Sequence, residues 1–364
     1  MVRLVPVLDF GGVETEIAVQ AALHDRAHFD LRVCTFWKAG RVAETIRGEG
    51  IPVDVLDADP SVRNAKAPWA LARYLRRTRP DILHASVPEA DFHASLVGKL
   101  AGAARVIVDE AGMPARPASR RLVFAALHRR VDAHLAVSDA LRDYLAESEF
   151  VPRRRIRVIH SCGGREFFAH PKDDYAVTRP RFRVVSVGRL VEVKNKGVLV
   201  EAMGHLVKQG ANVELVLLGD GPLRSSLEAR VAELGIGDRV QIAGFVPDLV
   251  SALRAADAYA LPSHSEGCSL SLIEAMAMAL PVIASRVPGN EEVLAGLDPT
   301  WLVPPKDAAG WAAAIARLAG FSDGSRAVLG RSARDAASAR FSPEAYVAAL
   351  ESMYARVYAN VDPG

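Results

Sequence analysis

Two carboxylates stand eight positions apart in the segment SHSEGCSLSLIEAMAMALPVIAS: Glu266, in a loop with Gly267, and Glu274, inside an apolar run with helical character. Ser269 falls where an N-cap is expected and Leu270 opens the helix, whose free N–H groups and positive dipole end would then face an anion such as phosphate. A carboxylate beside an anion is unfavourable unless it accepts hydrogen bonds. Sugar hydroxyls supply them, so Glu266 suits a sugar and Glu274 a second hydroxyl pair, such as that of a ribose. Upstream, SVGRLVEVKNKG sets Arg189 and Lys194 just after a buried-looking strand. A guanidinium forks onto phosphate oxygens and an ammonium acts as a point charge, a combination that suits a diphosphate.

Two further turns carry the same theme. In DFGGVETE, Gly11 and Gly12 remove Cβ atoms that would hold phosphates away from backbone N–H groups. The full G-x-G-x-x-G pattern and its distal acid are missing, which argues against a dinucleotide cofactor. In IAGFVPD, Val246 lies at a strand end where backbone groups reach a nucleobase edge. Each feature alone also fits a cap, a tight turn or a solvated cation; the joint occurrence of Glu266 and Glu274 with Gly12, Arg189 and Lys194 shifts the balance toward a binding site for phosphate and sugar hydroxyls. His84 and His264 sit at strand ends and fit either a sugar contact or a hydrogen-bonded structural role; neither is assigned as a general base.

Elements must position these residues. VRLVPVL, DLRVCTF, IPVDVL, DILHAS, RVIVDE, AHLAV and IRVIH read as strands separated by helical segments, and their near-continuous Val/Ile/Leu content marks parallel sheet covered on both faces. A second series follows: RFRVVSVG, VELVLLGDG, RVQIAG, DAYALP, PVIAS and TWLVPP. Between them lies a polar, proline-bearing stretch, AHPKDDYAVTRPR. The expected architecture is α/β, with two Rossmann-like doubly wound domains facing across a cleft: 1–170, a linker at 171–181, 182–340, and a final helix at 341–364 that returns to the first domain. Ligands in such sheets bind beyond the carboxyl ends of the strands.

Composition sets the class. The chain has 364 residues, half of them apolar and 24% charged, as for a soluble globular protein too long for one core. Cys34, Cys162 and Cys268 are widely spaced and odd in number, which excludes a disulfide framework or zinc ribbon and leads us to expect a reducing cytoplasm. The N-terminus reads as a strand rather than a signal peptide. Net charge is +2, which gives no reason to expect a nucleic-acid partner. The first 180 residues hold 27 basic against 23 acidic side chains, including Arg73, Arg76, Arg77 and Arg79; Arg120, Arg121, Arg129 and Arg130; and Arg153, Arg154 and Arg155. These are read either as solvated helix faces or as a peripheral contact with anionic lipid at the inner face of a membrane. The acid-x-acid DAD at Asp57–Asp59 lies in the first domain and is read as chance, so no metal site is expected.

Taken in order, GGVE, RPDILHAS, VSDALRDYL, VGRLVEVKNKG, LLGDGP, the E-x7-E segment EGCSLSLIE, EAMAMALPVIAS and PGNEEV resemble the family 4 glycosyltransferases of the GT-B fold over nearly the whole chain. The resemblance implies retaining transfer of a hexose-like sugar from a UDP- or GDP-type donor, bound by the second domain, to a saccharide, lipid-linked or small-molecule acceptor held by the first. It implies that Arg189 and Lys194 neutralise the diphosphate, that Gly12 approaches it, and that Glu274 holds the ribose. Glu266, with backbone near Ser269 and Leu270, would orient the sugar, while Val246 meets the base. No metal or other cofactor is implied. The family's frequent histidine near RVIVDEAG is replaced at Ala111, next to Asp109 and Glu110, which become candidate acceptor or sugar contacts with His84. Ser161 and Cys162 stand for an asparagine-glycine turn, and Ala279 for a glycine. An epimerase or hydrolase of the same fold, or a non-catalytic nucleotide-sugar-binding protein, is the alternative.

Overall fold

The computed structural model describes residues 1–9, 11–110, 112, 124–172 and 180–360. Ala111, Arg120, Arg121 and most of the expected linker therefore lie outside the described residues. The chain divides into two units, Met1–Cys162 with the helix Pro343–Ala359, and Gly163–Ser342.

In the first unit the strands are β1 (Val2–Val5), β2 (Arg32–Thr35), β3 (Val53–Val55), β4 (Ile82–Ser86), β5 (Arg105–Glu110), β6 (Ala133–Ala136) and β7 (Ile156–Val158). They form one parallel sheet in the order β3-β2-β1-β4-β5-β6-β7. The second unit holds β8 (Phe182–Val187), β9 (Val213–Leu218), β10 (Val240–Gly244), β11 (Ala258–Leu261), β12 (Val282–Ser285) and β13 (Leu302–Val303), parallel in the order β10-β9-β8-β11-β12-β13. All the strand-like runs of the sequence are strands. The reason is burial on both faces: every residue of β1, β4, β11 and β12 is buried, whereas edge strand β3 keeps partial exposure. Strand order reverses between β1 and β4 and again between β8 and β11, which makes the turns after those strands the natural ligand positions.

The division between units falls after Cys162, ahead of the expected linker at 171–181. Residues 163–172 are held by the second unit. Lys172 N–H donates to Met278 O at 2.8 Å, its ammonium lies 3.7 Å from Asp257, and Arg334 donates to Phe168 O at 2.8 Å. At the other end, Arg105 Nε donates to Val357 O at 2.9 Å and Asp25 N–H to Glu351 Oε1 at 2.7 Å, fixing the last helix to the first unit.

Ala279 occupies a position where geometry favours glycine. After the helix Leu270–Ala277, Ala279 N–H donates to Met276 O at 2.9 Å and Leu280 N–H to Ala275 O at 3.0 Å, the paired bonds of a Schellman end. Its φ of 59° puts an alanine in the left-handed region, at a cost of roughly 1–2 kcal/mol. The buried methyl returns about 0.8 kcal/mol. Ala279→Gly is therefore expected to raise unfolding free energy by up to ~1 kcal/mol in urea denaturation; a loss of that size would show that the methyl matters more than the backbone strain.

Candidate functional site

At the β8/β11 switch point, three loops converge within the second unit. The first leaves β8 through Gly188, Arg189 and Leu190 and continues into the short 3-10 turn Glu192–Lys194. The second leaves β11 through Pro262 and Ser263 to Glu266 and the helix Leu270–Ala277. The third leaves β12 at Ser285 for the helix Pro288–Val293.

Backbone packing dictates their composition. A Cβ at Gly219 would lie 2.1 Å from Gly188 O, one at Gly221 2.5 Å from Leu190 O, and one at Gly289 2.3 Å from Glu266 O. At Gly219 and Gly221, φ is 138° and 159°, so the LLGDGP turn needs glycine on two grounds. Leu190 N–H donates to Asp220 O at 2.9 Å, and His264 N–H to Val193 O at 2.8 Å, locking the first loop between the other turns. Ser285 Oγ donates to Ser263 O at 2.6 Å and accepts from Asn290 Nδ2 at 3.0 Å, which ties the third loop in.

Here the structure brings Lys194 and Glu266 together. Lys194 Nζ lies 2.7 and 3.0 Å from the two oxygens of Glu266, and Ser263 Oγ donates to the same carboxylate at 2.5 Å. Glu266 retains 8% side-chain exposure and Lys194 25%. Arg189 is exposed, and its guanidinium makes no hydrogen bond or ion pair among the described residues. The set offers one occupied ion pair and one free fork beside it in sequence.

Ser269 holds the N-cap position, but its hydroxyl lies 3.3 Å from Ser271 Oγ and caps no backbone N–H. The expected capping bond is absent because a neighbouring hydroxyl takes its place, so no side chain caps the first N–H groups at Leu270. Glu274 is buried one turn on. Burial, and then the charge of Glu166, push its carboxyl up to about 8, against a hydrogen bond from Gly164 N–H. Gly267 lies in the loop against Gly289, and Val246 is half-buried after β10 beside exposed Phe245.

Sequence reasoning missed two residues of KNK. Asn195, with φ 48°, donates from its amide to Pro262 O at 2.9 Å and Pro305 O at 2.7 Å, and so fixes the turn that carries Lys194. Lys196 is 2% exposed and donates to Ser186 Oγ at 2.6 Å and Val187 O at 2.9 Å. Burial, aided by Lys194 and opposed by Glu266, brings it down to about 7. A polar tripeptide opening a helix was the signal available for both.

In the first unit, Gly11 precedes the helix Gly12–Leu23 and has no side chain to cap it; the Glu14 carboxylate lies over Gly11 and accepts from its own backbone N–H. The candidate contacts there are internal instead. His84 is fully buried, with Nδ1 2.8 Å from Tyr354 OH. Burial, then the Arg3 charge, bring its imidazole down to about 4. Asp109 accepts from Ser86 Oγ at 2.5 Å and lies 3.5 Å from Arg3 Nη2. Burial opposes the charge on Asp109, but bonds and charges from His84 and Arg3 outweigh it and lower its pKa. Glu110 is buried too. His84, Ser86 and Asp109 are brought together around Arg3, which reading the apolar strand VRLVPV had not singled out.

Residues 11–162 match the family model for the glycosyl transferase 4-like domain, and residues 181–320 that for glycosyl transferases group 1. Among curated relatives, the chain is 37% identical over 144 residues to the amylovoran biosynthesis glycosyltransferase AmsK of Erwinia amylovora, covering 37% of this chain and 35% of that protein. It is 38% identical over 185 residues to a D-inositol 3-phosphate glycosyltransferase of Saccharomonospora viridis, covering 46% and 41%. The matches thus span less than half of these relatives. Among solved structures, a Rickettsia africae glycosyltransferase aligns with TM-score 0.82 and 18% identity over 99% of this chain and 98% of that one. Anabaena HepE, in complex with UDP and glucose, aligns with TM-score 0.81 and 19% identity over 97% and 99%. At such identities the likeness establishes the fold, GT-B.

The state of Glu274 is testable without a ligand. Between its ordinary value of 4.5 and about 8, the unfolded chain releases a proton that the folded chain keeps. Glu274 therefore withdraws stability as pH rises through that window. The thermal midpoint of the wild type should fall relative to Glu274→Gln from about pH 4.5 to about pH 8 and run parallel below it. A difference independent of pH would refute the burial argument.

Proposed function

Because the chain belongs to the group 1 and 4-like glycosyl transferases, we propose that it moves a hexose-like sugar from a nucleotide-diphosphate donor to an acceptor hydroxyl, with retention of configuration. The observation that carries the reading is the Lys194–Glu266 pair at the β8/β11 switch point, with Arg189 on the same loop as Lys194. Cations there meet the diphosphate and the carboxylate meets sugar hydroxyls. Similar structures hold UDP, or UDP and glucose, which supports a UDP-type donor.

In the reaction the bond from the anomeric carbon to the phosphate oxygen breaks and a bond to the acceptor oxygen forms on the same face. The acceptor proton passes to the departing phosphate oxygen. Charge grows on the diphosphate, and Arg189 and Lys194, fixed before reaction, stabilise it more in the transition state than in the ground state. No protein nucleophile and no metal ion are required by this scheme. Glu266, released from Lys194 as the diphosphate takes the cation, accepts from the sugar. Glu274, protonated in the empty site at neutral pH, accepts from the ribose once it ionises. Saccharide, lipid-linked and small-molecule acceptors all fit this chemistry, and the basic first unit is suited to peripheral contact with a membrane; among the described residues no helix is long and apolar enough to cross one.

Lys194→Ala and Glu266→Ala should each lower transfer by about 10²–10³-fold while circular dichroism is unchanged, as for loss of one transition-state contact. UDP at about 100 times its Kd should stabilise the wild type by about 2.7 kcal/mol. Near wild-type turnover by both variants across a panel of acceptors would remove those residues from the mechanism. Nucleotide binding without donor turnover would favour a binding protein.

A further inference from the structure

A cavity of about 270 Å3 lies at the amino-terminal ends of β5, β6 and β7, the end of the first sheet opposite to Gly11 and Gly12. Lys99, Arg129, Arg154, Arg155, Arg157 and Arg356 line it, against one carboxylate among the described residues, Asp132. That carboxylate is already engaged: Lys99 Nζ donates to it at 2.8 Å, and so does Val106 N–H at 2.8 Å.

The cations are arranged by backbone rather than by acids. Arg155 donates to Arg129 O at 3.2 Å and Val131 O at 3.4 Å; Arg157 donates to Arg154 O at 2.6 Å and Ile156 O at 3.1 Å. Carbonyls hold both forks in place, and among the described residues the Arg155 fork meets no carboxylate. The side chains of Arg129, Arg154 and Arg356 make no hydrogen bond or ion pair among the described residues. Like charges gathered around one hollow repel, and the arrangement gains most from a multiply charged anion that meets several guanidinium forks at once. Phosphate oxygens match that geometry. The volume is below the roughly 300–1,000 Å3 of pockets for drug-sized ligands, so the anionic group is small.

We propose that this cavity binds a phosphate-bearing anion, either free or as the headgroup of a lipid. Arg356 comes from the last helix, Pro343–Ala359, so an anion here bridges that helix to the loops that precede β6 and β7. The inference does not depend on sugar transfer, because none of these residues belongs to the β8/β11 site.

Inorganic pyrophosphate binding by calorimetry and co-sedimentation with phosphatidylglycerol vesicles test it on Arg189→Ala/Lys194→Ala, which lacks the cations proposed for the donor diphosphate, and on the same protein carrying Arg154→Glu/Arg356→Glu in addition. Arg154 and Arg356 are exposed, so their replacement should leave the fold intact; circular dichroism and thermal midpoint verify this. The double variant should bind, more weakly as salt rises, and the quadruple variant at least tenfold more weakly. Loss with pyrophosphate assigns a free anion; loss confined to vesicles assigns a headgroup. Equal binding of both probes by the double variant and the folded quadruple variant would overturn the proposal, as would no binding of either probe by the double variant.

Discussion

One ion pair holds the second unit's switch point in order. Glu266, at 8% side-chain exposure, is met by Lys194 on one side and Ser263 on the other, and Asn195 pins the turn that carries Lys194. Removing one member of a fully buried pair costs roughly 3–5 kcal/mol, and the cost here is smaller because Lys194 keeps a quarter of its surface in water. A pair of that strength holds two loops from different strands in register.

The glycines around it follow from that demand. Lys194 and Glu266 come from different strands, so their loops must approach backbone to backbone. Contacts of 2.1 to 2.5 Å from a hypothetical Cβ at Gly219, Gly221 and Gly289 measure how little room is left. LLGDGP and PGNEEV are therefore motifs of packing that support the site at one remove. The charged residues act in space that these glycines create.

Much of the fold was legible because two-sided burial leaves a plain record: continuous apolar runs became β1 to β13. Glu266 with Lys194 was legible because unlike charges after neighbouring strands have few other places to go. The unit boundary was not, because composition marks polarity, while the anchoring of residues 163–172 depends on Lys172 and Arg334 reaching carbonyls far along the chain. Asn195 and Lys196 escaped because three of their four partners are main-chain oxygens, which have no signature in the sequence, and the fourth is the Ser186 hydroxyl inside β8. The Ser269 cap was misjudged because a hydroxyl two residues on competes for it.

The two switch points end in opposite states. In the first unit Arg3, His84, Ser86, Asp109 and Tyr354 close on one another, and His84 is wholly buried. Polar capacity is largely spent inside the fold, and what remains for a ligand after β1 is backbone, at Gly11 and Gly12. In the second unit Arg189 is exposed and its guanidinium has no partner among the described residues, while burial lowers the pKa of Lys196 and raises that of Glu274. The second switch point thus keeps an exposed guanidinium beside the Lys194–Glu266 pair, whereas the polar side chains at the first are committed to one another and to the last helix.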